Sequence, residues 1–283
     1  MGRISPIRPI GSITHMKRVD LFDSTYSHFT EKVLDEIRKE TFDVDIGQNS
    51  WVTVDEYDRF IIDLQLSTES HILEVASGSG GPALYLAQQV GCKVTGIDAT
   101  ESGVSTATEA AANANLGNRV DFHLADATAR LQFPDNSFDA ILCLDSMNHF
   151  PNRRSVFSEW HRVLKPGHRA VFTDPVLITG PVTNDELARR SLVGLFLFVP
   201  PGVNEQLIDL VGLKIINRTD VTENAALVSR RWHEARQRHK DDLLKIEGEE
   251  RFTGLQEFFD TVHNLTSERR LSRILYLVEK PVD

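Results

Sequence analysis

Residues 72–83 read IleLeuGluValAlaSerGlySerGlyGlyProAla, an apolar run that meets three glycines and then a helix opened by Pro82. The run predicts a buried strand, and proline suits the first helical position because the N–H it lacks would be unsatisfied there anyway. Gly78, Gly80 and Gly81 let the chain turn sharply and let a ligand approach the main chain with no Cβ in the way. A nucleotide-like ligand is implied. The string GlySerGlyGlyProAla also satisfies the G-x-G-x-x-A dinucleotide fingerprint, with Asp98 twenty residues beyond Gly78 at the end of the next predicted strand. Glu74 shifts the balance, because a carboxylate on the strand beneath the turn repels a pyrophosphate and attracts an amino group or a sulfonium. Asp98 serves either ligand, since a carboxylate at a strand tip accepts two ribose hydroxyls.

From Ser70 onward, short apolar runs alternate with helical patterns. Strands are predicted over 71–75, 93–97, 120–124, 140–144, 169–173, 214–217 and 273–278, with helices over 82–89, 101–114, 154–163 and 205–210. That alternation predicts an α/β, Rossmann-like fold: a seven-stranded, mostly parallel sheet with helices on both faces. Helical segments around 24–39 and 54–64 form an N-terminal cap over residues 16–69, and 70–283 form the core. Two stretches, 177–204 and 221–270, exceed ordinary connections and are expected to form a helical substrate cap near the C-terminal strands. Residues 1–15 have neither helical period nor secretory pattern, and read as a leader left by cloning or a disordered natural tail.

The composition is that of an ordinary globular protein, and 41 acidic against 31 basic residues leave a net charge of −10. Such a field repels polyphosphate and argues against general nucleic-acid or anionic-membrane binding. The longest apolar run, Leu192 to Val203, is broken by Gly194, Pro200 and Pro201 and is too short to span a bilayer. Two cysteines, Cys92 and Cys143, make no disulfide framework and point to a reducing, cytoplasmic setting, with Cys143 a core residue rather than a nucleophile. Both a monomer and a homodimer are compatible with the sequence.

Further motifs follow in order: GlyIleAsp ending at Asp98, AlaAspAla at 125–127, PheProAspAsnSerPheAsp at 133–139 and LeuLysProGly at 164–167, a helix stop and tight turn into the fifth strand. With the glycine turn, their order and spacing from about Asp45 to Val176 resemble the class I S-adenosylmethionine-dependent methyltransferases. The resemblance implies S-adenosyl-L-methionine as cofactor and a small molecule as methyl acceptor. Carried over, it implies that Glu74, Gly78 and Gly80 hold the methionine moiety, Asp98 the ribose, and Asp126 with Ala127 the adenine. Ala76, Ala99 and Leu144 are further expected cofactor contacts. A narrower similarity, to the phosphoethanolamine, sarcosine and dimethylglycine N-methyltransferases, lies in GlyGlnAsnSerTrp at 47–51 and AspSerMetAsnHis at 145–149. It favours an amine nitrogen as acceptor, with O- or C-methylation and NAD-dependent oxidoreduction as alternatives. Phe42 stands where the phosphoethanolamine enzymes bring a tyrosine to the site, which weighs against a phosphobase substrate.

Ligands of an open α/β sheet bind outside the carboxyl ends of its strands, which places residues 145–150 beside the transferred methyl group. His149 is the expected base, since imidazole titrates near neutral pH. Asp145 is expected to orient that base or to hold a cationic amine. Asp145 and Asp174 also occupy places used in metal-assisted methylation, but Pro175 stands where a further amide ligand belongs, and no metal is expected. Trp51, Asn148, Phe196, Phe198, Arg230 and Trp232 are the expected acceptor-pocket residues. Phe196 and Phe198 come from the apolar stretch 192–199, read either as a lid or as a core helix.

Overall fold

The computed structural model describes His28 and residues 31–282, so the expected leader at 1–15 lies outside the described residues. All seven predicted strands are present: β1 (His71–Val75), β2 (Lys93–Asp98), β3 (Val120–Leu124), β4 (Phe138–Cys143), β5 (Leu164–Ile178), β6 (Lys214–Asp220) and β7 (Leu271–Glu279). They form one sheet in the order β3-β2-β1-β4-β5-β7-β6, with β7 antiparallel to both neighbours and the other pairings parallel. β5 starts earlier than expected because Leu164 already pairs with Phe138; Gly167, at φ +77°, makes the turn, and regular pairing resumes at Arg169.

Period-two alternation divides the central strands between two apolar layers. Leu73, Val75, Ile141 and Cys143 face one core with Phe157, Trp160, Phe172 and Tyr276, while Ile72, Ala140 and Leu142 face another with Tyr57, Phe60 and Leu86. Cys143 is a fully buried core residue, as expected. The helices that supply these layers are α1 (Lys32–Thr41), α2 (Val54–Asp63), α3 (Gly81–Val90), α4 (Glu101–Asn113), α5 (Arg153–Val163), α6 (Asn184–Arg190) and α7 (Val203–Leu210). The stretch 221–270 forms α8 (Thr222–Arg238) and α9 (Lys240–Ser267), the latter interrupted at Gly248, where φ is 74°.

β1 lies between β2 and β4, so successive connections leave it in opposite directions and a crevice opens at the carboxyl ends of β1 and β4. The N-terminal segment and the two insertions meet at that crevice. Phe42 and Trp51 pack with Val193, Ala225, Val228, Phe258 and Phe259, while Val33 and Ile37 of α1 pack with Ala235, Leu243 and Phe252. Glu40 and Asp43 tie the end of α1 to α8 and its cap through Arg238, His239 and Arg231. Among the described residues, no helix is long and apolar enough to cross a membrane.

Candidate active site

The glycine turn leaves β1 through Ala76, whose φ of +59° is rare for a residue with a side chain, and continues through Gly78 at +53° and Gly80 at +79°. The turn is tied to β2, with Ser77 N–H donating to the Ile97 carbonyl (3.0 Å) and Gly78 N–H to Asp98 Oδ2 (2.8 Å). Packing alone requires glycine at two of these positions. A Cβ on Gly80 would lie 2.6 Å from the Phe122 ring and 2.7 Å from Ala107 Cβ, and one on Gly81 would lie 2.3 Å from the Ile46 carbonyl oxygen.

Beneath the turn, Glu74 is buried, and its Oε2 has no hydrogen-bond partner; neither has the nearby Ser77 Oγ. Burial, aided by the charge of Asp98, raises the Glu74 carboxyl to about 8. Asp98 is engaged differently from expectation: Oδ2 accepts from Gly78 N–H, and Oδ1 accepts from Thr100 N–H at the start of α4 (2.9 Å). It therefore shapes the turn, and only its remaining lone pairs are open to a ribose. Asp126 likewise accepts from Thr128 N–H and Oγ1, while Ala99 is exposed and Ala127 is buried in the core. These four residues sit at the tips of β2 and β3, outside the main cavity; Glu74, Ala76, Gly78 and Leu144 line it.

A strap formed by residues 45–51 crosses this turn. Ile46 and Gly47 lie against Gly81, Asn49 Nδ2 donates to Ser79 Oγ (3.4 Å), and Trp51 N–H donates to Asp145 Oδ2 (2.8 Å). Asp145 is thus a structural hub and not the orienting group expected for His149. Its Oδ1 accepts from Arg273 Nε (2.7 Å) and Thr173 Oγ1 (2.8 Å), and its φ is +53°. Arg273 is completely buried and donates through Nη1 to Glu56 of α2 (2.7 Å). Asp174, the other carboxylate considered for a metal, is paired with Arg153 and accepts from Asn204 Nδ2.

A single turn of 3₁₀ helix, Met147–His149, follows β4 and is anchored by the buried Met147 and Asn148. His149 Nδ1–H donates to the Leu195 carbonyl (2.8 Å), which leaves Nε2 as the acceptor facing Asn148 Nδ2 (3.1 Å). Burial, reinforced by the charge of Arg190, holds the imidazole down at about 4, so it is neutral. Asn148 does not line the cavity; it is fully buried and orients His149. Phe196 lines the cavity, edge-on to the His149 ring at 4.8 Å, while Phe198 does not and instead stacks behind Phe196. The stretch 192–199 is therefore part core and part wall, with Leu192 and Val193 buried and Phe196 facing the pocket.

Trp232 lines the cavity, but Arg230 is exposed beside Glu234. Two positions apart on a helix are roughly 200° apart, so both cannot face inward. The arginine that does enter is Arg190, at the end of α6. Its guanidinium carbon sits 4.4 Å from the Phe196 ring centre, 5.0 Å from Phe258 and 6.0 Å from Trp51. Tyr57 and Phe258 were also missed. Tyr57 lies on the inward face of amphipathic α2, near Glu74 and Asp145, and burial raises its phenol well above the ordinary value.

The strand order, the turn, the buried acid beneath it and the covering strap together define the class I S-adenosylmethionine-dependent methyltransferase fold. Residues 73–172 match the methyltransferase-domain family, and this part of the chain is a methyltransferase domain. The chain is 33% identical over 166 residues to a methyltransferase of Streptomyces halstedii, covering 56% of this chain and 58% of that protein. It is 36% identical over 133 residues to 27-O-demethylrifamycin SV methyltransferase of Amycolatopsis mediterranei, covering 47% and 48%. The matches thus span about half the length of these curated relatives. A solved structure of a sarcosine dimethylglycine methyltransferase from Galdieria sulphuraria superposes with a TM-score of 0.72 at 18% identity, over 81% of this chain and 84% of that one.

Proposed function

We propose that this chain is an S-adenosylmethionine-dependent methyltransferase acting on a small-molecule acceptor in the cytoplasm. The observation that carries the reading is the buried, unpartnered Glu74 Oε2 under the glycine turn, a place suited to a cationic amino group and hostile to a pyrophosphate. Glu74 would hold the methionine ammonium, with Gly78 and the Asn49–Ser79 strap closing around it. Asp98 and Ala99 would face the ribose, with Asp126 and Ala127 near the adenine. Ala76 and Leu144 would complete the wall. When bound, the cofactor supplies a sulfonium methyl group for in-line displacement. The chain's own part is to align the acceptor between His149, Trp51, Phe196 and Trp232 and to exclude water.

The acceptor atom we favour is a hydroxyl oxygen. Asp145, the group expected to hold an amine, is already engaged by Arg273, Thr173 and the strap, and the charge set among the rings of Phe196, Phe258 and Trp51 is the cation Arg190. That charge repels an ammonium. S-Adenosylmethionine at 100 times its dissociation constant should stabilise the protein by about 2.7 kcal/mol, read as an upward thermal shift. Labelled methyl transfer to hydroxyl compounds, with amines as controls, then tests the activity. A shift with NAD and none with S-adenosylmethionine would overturn the proposal.

His149 Nε2 is the proton acceptor in this scheme, held in orientation by Asn148 Nδ2. His149→Gln should lower turnover by roughly 10² with cofactor affinity unchanged. The same residue shapes acid stability. Its folded value lies below that of a free imidazole, so its contribution is present above about pH 6.5 and is lost as pH falls toward 4. Melting curves of the Gln variant should therefore show less destabilisation across that window, and an unchanged pH profile would contradict the assignment.

A further inference from the structure

Arg190 is buried, 2% exposed, in a wall of Phe196, Phe258 and Trp51. Its Nη1 has no hydrogen-bond partner, and among the described residues no carboxylate forms an ion pair with it. The nearest acids are committed elsewhere. Asp174 is held by Arg153 and Asn204, and Asp145 by Arg273, Thr173 and Trp51 N–H. The Glu56–Arg273–Asp145 group keeps one net negative charge, which attracts Arg190 through space but offers its N–H groups no acceptor. Stacking on ring faces accounts for the guanidinium plane, not for its in-plane donors. A buried charge left in that state is costly unless something arrives to pair with it.

We infer that the acceptor carries a carboxylate, which docks on Arg190 while its apolar body lies against Phe196, Phe258 and Trp51. A carboxylate, with one charge and two in-plane oxygens, matches the guanidinium fork. A phosphate monoester would bring a second charge with no second unpaired cation on this wall. The inference rests on the proposed methyltransferase reading and names the acceptor class for it.

The test uses the full chain with and without S-adenosylhomocysteine, and benzoate, its neutral isostere benzamide, and phenyl phosphate as probes, followed by calorimetry or tryptophan quenching. Benzoate should bind at least tenfold tighter than either other probe, and Arg190→Met should abolish that preference. The variant should melt no lower than the wild type, because it removes an unpaired buried charge. Should it fail to fold, the benzoate–benzamide comparison on the wild type decides alone. Equal affinity for benzoate and benzamide, no benzoate binding at millimolar concentration, or preference retained in Arg190→Met would overturn the inference. Tighter binding of phenyl phosphate would replace the carboxylate with a phosphate. Binding of S-adenosylhomocysteine without benzoate preference sinks this inference alone, whereas Arg190-dependent benzoate preference in a protein that does not bind S-adenosylhomocysteine sinks the methyltransferase reading and leaves Arg190 as a carboxylate site without a methyl-transfer role.

Discussion

Replacing Glu74 with glutamine is expected to stabilise the ligand-free protein at alkaline pH while weakening S-adenosylmethionine binding by one to two orders of magnitude. The folded-state carboxyl sits at about 8, raised from 4.5 by burial and then by Asp98. Its destabilising effect is therefore absent below about pH 4.5, grows through the window, and is complete above about pH 8. Glutamine removes it, for a gain on the order of 4–5 kcal/mol at pH 8.5. The same change deletes a charge-assisted hydrogen bond to the ligand's ammonium, about 1.5–3 kcal/mol of affinity. Proton linkage supplies an independent check. At pH 7 the wild-type carboxyl is mostly protonated, so binding a cation there should release close to one proton, measurable by calorimetry in buffers of different ionisation enthalpy. The variant should release none. Unchanged affinity in a folded Glu74→Gln protein would remove the carboxylate from the cofactor site.

What the sequence made legible was local. The seven strands follow from period-two apolar runs, and the cofactor turn from glycines, a proline and one misplaced-looking acid within twelve residues. The helical insertion at 221–270 is readable from its period, but its phase is not: Arg230 and Trp232 stand two residues apart, and of the two only Trp232 faces the cavity. Arg190 carried a faint signal. ArgArg at 189–190 ends a helix begun by a Thr183–Glu186 capping box, yet which arginine turns inward depends on Phe258 arriving from α9. Gly80 shows a similar limit: a missing Cβ looks the same in sequence whether a ligand or the Phe122 ring occupies the space. Long-range pairing decides these cases, and residue type alone does not encode it.

The residue with the largest expected effect on the fold is Arg273, and the sequence held a clue to it. LeuSerArgIleLeuTyrLeuVal at 271–278 places one cation inside an otherwise apolar strand, and a buried arginine requires partners. The sheet order brings β7 beside β5 and so places Arg273 against both Asp145 and Glu56. Arg273→Met should cost about 3–5 kcal/mol, because it leaves two buried carboxylates without their cation. At roughly 2–4 °C per kcal/mol for a chain of this size class, the melting temperature should fall by about 6–20 °C. Function should fall with it, since Asp145 anchors Trp51 N–H and with it the strap over the cofactor turn. Two measurements separate this account from loss of packing. Adding Glu56→Gln and Asp145→Asn to Arg273→Met should recover part of the loss, with a non-additive double-mutant cycle of about 0.5–3 kcal/mol. The deficit of the single variant should also shrink as pH falls and the orphaned carboxylates take up protons. Additive losses, or a deficit that stays constant with pH, would reduce Arg273 to a space-filling side chain.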